Sequence, residues 1–159
     1  MANIFNMAEI VDLGIEKEKR RRDFYGAVAA RTDDEELKEL FGRLRDWEEE
    51  HIRIFSGIRA ELDEHETVES YPGEQRDYME ALIDDQLYRD VSPEEMADLT
   101  GSPREAIERG ITFEKDAILF FRSLGAFLSS PQREVIERLV REEQTHLVYL
   151  TRLRARYRG

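Results

Sequence analysis

Residues 47–51 read Trp-Glu-Glu-Glu-His, and this stretch places polar side chains where a core-facing helix needs apolar ones. Glu48 and His51 are three residues apart, so on a helix they lie on one face. That face is otherwise apolar, with Leu44 before the pair and Phe55 after it. A carboxylate and an imidazole are costly to bury unless they are paired or hold a metal ion. A metal site here would need further ligands from elsewhere in the chain.

The chain supplies those ligands through an internal repeat. A second Glu-x-x-His pair, Glu143 and His146, lies near the end of the sequence. Each pair is preceded by a lone Glu on an apolar stripe, Glu18 in the first half and Glu114 in the second. Both lone glutamates are followed by Lys, four further residues and two aromatic residues. The sequence therefore indicates two copies of one helical hairpin, each carrying three polar residues at a matched depth.

Apolar periodicity and capping signals predict four long helices, over about residues 7–31, 34–64, 103–128 and 131–157. Start signals of the capping-box type stand at 32–35, at 92–95 and at 102–105. Short loops within each pair of helices predict antiparallel hairpins. Residues 66–101 form a long crossover, with helical patterns over 75–88 and after Ser92. This predicts a single all-α domain over 1–159, a four-helix bundle with the ferritin-like connectivity.

Composition narrows the range of functions. The chain of 159 residues has no cysteine, which excludes disulfides, thiolate zinc sites, iron–sulfur clusters and a cysteine nucleophile. Its net charge of −12 argues against a basic nucleic-acid-binding face. No signal-peptide pattern is seen in residues 1–13, and no stretch approaches the roughly 20 apolar residues of a membrane span. We therefore expect a cytoplasmic protein that binds neither nucleic acid nor membrane.

The six polar residues of the two hairpins form a chemically coherent ligand set. Carboxylates and neutral imidazoles are hard oxygen and borderline nitrogen ligands, which suit iron or manganese. Four buried carboxylates would be neutralised by two divalent ions. The expected cofactor is therefore a pair of divalent metal ions, which could be two iron ions, two manganese ions or a mixed pair. The candidate ligands are Glu18, Glu48, His51, Glu114, Glu143 and His146.

With these ligands and the Glu-Lys-x4-Phe-Tyr run of residues 18–25, the chain resembles the rubrerythrin-like branch of the ferritin-like superfamily over nearly its whole length. The resemblance implies that Glu48 and Glu143 bridge two metals. Glu18 with His51, and Glu114 with His146, would be the terminal ligands. It also implies an oxidoreductase that reduces peroxide or dioxygen while oxidising Fe(II).

Two features depart from the pattern of rubrerythrins. Without cysteine there is no rubredoxin domain, so electrons would come from an external donor. Rubrerythrins carry a further Glu one turn beyond the third-helix ligand; here that position is Ala117, and its equivalent in the first helix is Arg21. These departures leave two alternatives open. One is an iron-binding ferroxidase for storage or delivery, and the other is a non-enzymatic helical module with a structural metal.

Several neighbouring residues have more than one interpretation. Tyr25 is either a core aromatic residue or a catalytic hydrogen-bond donor to a bound oxidant. The run 20–22 (Arg-Arg-Arg) is expected to be a solvated face, although Arg22 could orient a ligand. Trp47 is expected to be a packing residue. The alternative to a metal site is a metal-free salt-bridge network in which Arg22 and Lys115 are partners of the carboxylates. Separately, we expect the protein to be a homodimer.

Overall fold

The computed structural model of the protein describes residues 7–62, 81, 92–98 and 100–157. Within them the chain forms helices and no strand, which confirms the all-α prediction. The predicted helical pattern over 75–88 lies outside the described residues, apart from position 81. The helices are α1 (Met7–Arg31), α2 (Glu35–Glu61), α3 (Pro93–Asp98), α4 (Pro103–Gly125) and α5 (Ser130–Arg154).

The helix starts show how local side chains set the boundaries. Ser102 caps α4 by accepting a hydrogen bond from the backbone N–H of Glu105, as its start signal predicts. Ser92 and Glu95 form a reciprocal capping box at the start of α3, with both hydrogen bonds at 3.1 Å. The long helices end about three residues earlier than predicted, at Glu61, Gly125 and Arg154.

The capping box predicted at residues 32–35 is wrong in its position. The N-cap of α2 is Asp34, whose carboxylate accepts a hydrogen bond of 2.9 Å from the backbone N–H of Leu37. The backbone N–H of Thr32 still donates to the carbonyl of Val28 in α1. Thr32 therefore closes the first helix and cannot begin the second, although its hydroxyl accepts a hydrogen bond from the backbone N–H of Asp34.

The four long helices pack as two hairpins, α1 with α2 and α4 with α5, and the hairpins meet through α1–α4 and α2–α5 contacts. Their apolar side chains form two clusters, one toward each end of the bundle. The first includes Phe24, Phe41, Leu44, Ile107 and Leu150, and the second includes Val11, Phe55, Phe120, Phe121 and Leu139. In every long helix the candidate metal ligands lie in sequence between these clusters. The fold therefore places them near the middle of the bundle.

Glycine allows one close helix crossing within the second cluster. A Cβ atom added at Gly14 would lie 2.9 Å from Cε1 of Phe120, whose ring is fully buried. Gly110 holds the equivalent position in the second hairpin, where an added Cβ would lie 3.2 Å from Leu150 and 3.4 Å from Tyr25. The aromatic rings near the site thus pack directly on helix backbone.

Among the helices within the described part of the chain, none combines the length and the apolar character required to cross a membrane.

Gly14→Ala should lower the free energy of unfolding by about 1 kcal/mol. Overpacking a rigid core site costs about 1–3 kcal/mol, which exceeds the gain of about 1 kcal/mol in helix propensity. Gly57, also within a helix, is the matched control because an added Cβ there meets no atom within 4 Å. Gly57→Ala should therefore stabilise by about 0.5–1 kcal/mol. Urea unfolding measures both changes, and equal stabilisation by the two substitutions would contradict the close crossing at Gly14.

Candidate metal centre

The structure brings the six candidate ligands together in one buried cluster. α1 contributes Glu18 and α4 contributes Glu114, while α2 and α5 each contribute a Glu-x-x-His pair one helical turn apart. All four carboxylates are completely buried, and the two imidazoles are at most 4% exposed. Polar groups buried this deeply require partners of opposite charge, protons or metal ions.

The ligand atoms fall into two overlapping groups, and within each group they lie within 4.8 Å of one another. Glu18 and His51 belong to one group, Glu114 and His146 to the other, and both groups share Glu48 and Glu143. Sharing of this kind is what two adjacent cations with common carboxylate ligands require.

Each shared carboxylate presents one oxygen to each histidine. In Glu48, Oε2 lies 3.5 Å from Nδ1 of His51 and Oε1 lies 4.0 Å from Nδ1 of His146. In Glu143, Oε1 lies 2.8 Å from Nδ1 of His51 and Oε2 lies 3.0 Å from Nδ1 of His146. Both imidazoles therefore direct the same nitrogen atom, Nδ1, into the centre.

Several buried ligand atoms have no hydrogen-bond partner in the structure. They include both carboxylate oxygens of Glu48, one oxygen of Glu143 and Nδ1 of His51. The 2.8 Å approach between His51 and Glu143 therefore lacks the geometry of a hydrogen bond. A metal ion would satisfy oxygen and nitrogen atoms that converge in this way without hydrogen-bond partners. The oxygen and nitrogen donor set thus fits a pair of hard or borderline divalent cations.

Protons balance the charge of this cluster when no ion is bound. Burial raises the pKa of Glu114 to about 8, and it raises the pKa of Glu18 well above its usual range although Arg21 acts to lower it. Burial would lower the pKa of His146, but the nearby carboxylate of Glu114 and the hydrogen bond with Glu143 raise it to about 10. Metal ions must displace such protons, so metal binding should release them into solution.

Arg21 is, with Glu142, a residue of the site that sequence reasoning does not identify. Its side chain is completely buried and donates a hydrogen bond to Oε1 of Glu18 one turn away. The expectation of a solvated face over residues 20–22 is therefore wrong at Arg21, because position 21 continues the buried stripe of α1. Arg22 bonds Asp23 and Glu49 instead, at 2.9 and 2.7 Å.

The two residues expected to form a metal-free salt-bridge network do not contact the cluster. Arg22 has the partners just described, and Lys115 is exposed. Arg21 provides a buried guanidinium next to one of the four buried carboxylates. The equivalent position in the second hairpin is Ala117, which is completely buried and carries no charge. The two halves of the cluster therefore differ by one positive charge.

Each histidine is held by a residue of the opposite hairpin. Nε2 of His51 lies 2.8 Å from Oε2 of Glu142, a hydrogen bond that leaves Nδ1 facing the centre. The imidazole of His146 stacks on the indole of Trp47, with ring centroids 4.6 Å apart and planes 9° from parallel. Glu142 and Trp47 each directly precede a shared carboxylate, so they are equivalent positions of the repeat. Trp47 does pack as expected, and it packs on a candidate ligand.

Tyr25 also contacts the opposite hairpin. Its hydroxyl donates a hydrogen bond of 2.8 Å to Oε1 of Glu114, and the ring is completely buried. Burial and the neighbouring Glu114 raise the pKa of Tyr25 well above its usual range, so the hydroxyl keeps its proton. Phe121 holds the equivalent position in α4 and offers no such donor. The hydrogen bond is thus confined to the half of the site that contains Glu114.

Comparison with known proteins agrees with this geometry. A family model for rubrerythrin matches residues 9–154. The chain belongs to the rubrerythrin family. Its structure resembles a crystal structure of a ferritin-like diiron-carboxylate protein from Thermotoga maritima, with a TM-score of 0.69. The two chains are 18% identical over 98% of each, a likeness that shows the shared fold. The comparison with curated proteins finds no match.

Substitution of a shared carboxylate should remove both metal ions. Glu48→Gln is expected to abolish binding of the pair, because both groups of ligands use Glu48. Glu18→Gln should remove one ion, because Glu18 belongs to one group. Glu49→Gln is the matched control, since Glu49 pairs with Arg22 outside the cluster. Metal analysis after anaerobic loading with Mn(II) measures the ions bound per chain; equal losses from Glu48→Gln and Glu18→Gln would contradict the sharing.

Arg21→Met should change stability and metal affinity in opposite directions. In the metal-free protein it leaves the buried Glu18 without its hydrogen-bond donor, so the free energy of unfolding should fall by about 1–3 kcal/mol. In the metal-loaded protein the substitution removes a positive charge beside the bound cations. The metal position that binds its ion more weakly should therefore bind it more tightly.

Calorimetric titration with Mn(II) and chemical unfolding measure the two effects of Arg21→Met separately. Arg22→Met is the control, because Arg22 bonds Asp23 and Glu49. Weaker metal binding by Arg21→Met would show instead that the guanidinium mainly positions Glu18 for binding.

Proposed function

We propose that the protein is a dinuclear iron oxidoreductase that reduces peroxide or dioxygen while Fe(II) is oxidised. The observation that carries this proposal is the pair of buried ligand groups joined by Glu48 and Glu143. Bound there, two iron ions would supply two electrons to the oxidant. The membership of the chain in the rubrerythrin family supports the same chemistry.

The donor set suits iron or manganese, and the family of the chain favours iron. Carboxylate oxygens and imidazole nitrogens are the only ligand types in the cluster, and the chain has no cysteine to offer a thiolate. Glu18 and His51 would hold one ion, and Glu114 and His146 the other. The shared carboxylates would hold both ions at once.

The surrounding residues of the chain would prepare the site for proton-coupled chemistry. Glu142 and Trp47 fix the two imidazoles from the opposite hairpin. Tyr25 keeps a protonated hydroxyl 2.8 Å from Glu114, where it holds that carboxylate and would lie close enough to offer a hydrogen bond to a bound oxidant. The two apolar clusters pack on either side of the site and restrict the entry of water. Electrons for repeated turnover would come from an external donor.

A second candidate function is iron handling, in which Fe(II) is bound and oxidised for storage or delivery. Arg21 and Ala117 favour it, because neither supplies the additional carboxylate that rubrerythrins carry beyond the terminal ligand. The positive charge of Arg21 beside Glu18 would also weaken one of the two cation positions. A weaker position suits an ion that is taken up and released.

Anaerobic loading with Fe(II) followed by peroxide tests the proposal. We expect about two iron ions per chain and rapid appearance of the absorption bands of Fe(III) held by carboxylate and imidazole groups. Glu143→Gln should abolish these bands, and Glu137→Gln should leave them unchanged because Glu137 lies outside both ligand groups. Binding of less than one ion per chain, or Fe(II) oxidation no faster than in buffer alone, would exclude the proposal.

The Fe(II)-loaded protein also distinguishes the oxidoreductase from the iron-handling protein. Supplied with a reductant and excess peroxide, an oxidoreductase should consume many equivalents of peroxide per chain at a constant iron content. An iron-handling protein should complete one oxidation and then release or exchange the oxidised iron. Stopped-flow absorption together with metal analysis of the recovered protein distinguishes these outcomes.

A further inference from the structure

A column of four stacked rings runs from the centre of the site to the protein surface. His51 and His146 have ring centroids 5.7 Å apart, with planes 17° from parallel. His146 and Trp47 follow at 4.6 Å and 9°, and Trp47 and Tyr149 at 5.9 Å and 19°. Tyr149 is 39% exposed, so the column ends in contact with solvent.

The column draws rings from both hairpins, but the internal repeat does not produce a second one. The position equivalent to Trp47 in the second hairpin is Glu142, which bonds His51 and supplies no ring. Trp47 is also the single tryptophan of the chain. Indole and phenol are the side chains in this column that lose an electron most readily, and the two stand next to each other between a candidate ligand and water.

The electron balance of dioxygen reduction requires electrons to reach the site from outside it, and a column of stacked rings could carry them. Conversion of dioxygen to two waters takes four electrons and four protons, whereas a pair of Fe(II) ions supplies two electrons on becoming Fe(III). The other two electrons must come from outside the metal pair. Peroxide takes two electrons and two protons to become two waters, so it makes no such demand.

We propose that Trp47 and Tyr149 relay single electrons from the surface to the centre when dioxygen is the oxidant, an inference that rests on the proposed function. Trp47 gives an electron through the stacked imidazole of His146, and Tyr149 restores it. The phenol proton of Tyr149 leaves to water at the exposed end of the column. An external one-electron reductant then returns an electron to Tyr149, which takes back a proton. Two passes supply the two missing electrons.

Tyr25 is the competing source of an electron. It lies closer to the ligands, with its hydroxyl on Glu114. It is completely buried, however, and the carboxylate that it faces belongs to the cluster itself. An external reductant cannot reach it directly. Tyr149 is exposed and connects to the centre through continuous ring contacts, so it meets both requirements of a relay.

The test is to load the protein with Fe(II) without oxygen, to add dioxygen or one equivalent of peroxide, and to record electron paramagnetic resonance spectra of rapidly frozen samples. Dioxygen should give an organic radical signal, and peroxide should give none. Trp47→Phe should abolish the signal. Tyr149→Phe should move it to Trp47, where deuterated tryptophan identifies it without ambiguity because the chain has one tryptophan. Tyr157→Phe, outside the column, should leave the signal unchanged.

The outcomes separate the relay from the proposed function. Absence of Fe(II) oxidation by either oxidant overturns the proposed function and the relay with it. Normal Fe(II) oxidation without a radical overturns the relay alone, as does an equal signal with peroxide or a signal abolished by Tyr25→Phe and retained in Trp47→Phe. The iron content of Trp47→Phe must match that of the unchanged protein. If it does not, Tyr149→Phe with deuterated tryptophan decides the question by itself.

Discussion

Four carboxylates share one buried volume, and their mutual repulsion is the constraint on which the rest of the structure depends. Carboxylates in an apolar core can all stay ionised only if cations lie between them; otherwise some of them take up protons. The raised pKa of Glu114 and the guanidinium beside Glu18 are two ways in which the metal-free protein meets this constraint. The apolar clusters on either side can pack closely because the polar residues stay confined between them.

The site combines a symmetric set of ligands with asymmetric surroundings. Both hairpins contribute one lone Glu and one Glu-x-x-His pair, at equivalent positions. The residues that contact these ligands differ at three pairs of equivalent positions. Arg21 corresponds to Ala117 in the repeat, Tyr25 to Phe121, and Trp47 to Glu142. Beside Glu18 and His51 there are thus a guanidinium and a carboxylate that bonds the imidazole. Beside Glu114 and His146 there are a phenol and a stacked indole.

The fold and the clustering of the six candidate ligands could be predicted because they depend on periodicity and repetition. A Glu that replaces Leu on a helical stripe is visible in the sequence, and a second copy at the same spacing reinforces it. Arg21 was missed because it stands within three consecutive arginines, a pattern typical of solvated faces. Its position three residues after Glu18 on the buried stripe was the available signal.

Other features depend on geometry that no local pattern contains. The contacts of Glu142 with His51 and of Trp47 with His146 join opposite hairpins, so they follow from how the hairpins pack. The start of α2 depends on a competition between two good capping residues. Asp34 succeeds because the backbone of Thr32 is still engaged by α1. Neither result could be obtained from propensity alone.

Carrying both hairpins on one polypeptide has an evolutionary consequence. If two identical hairpins associated as separate chains, each substitution would appear twice, so a guanidinium placed beside one terminal ligand would also stand beside the other. Within a single gene the two copies can diverge independently. Ala117 can stay small and neutral while position 21 acquires a charge, and the tryptophan at 47 need not be matched at 142. Covalent linkage thus permits the two halves of the candidate metal centre to diverge while the residues that they share are preserved.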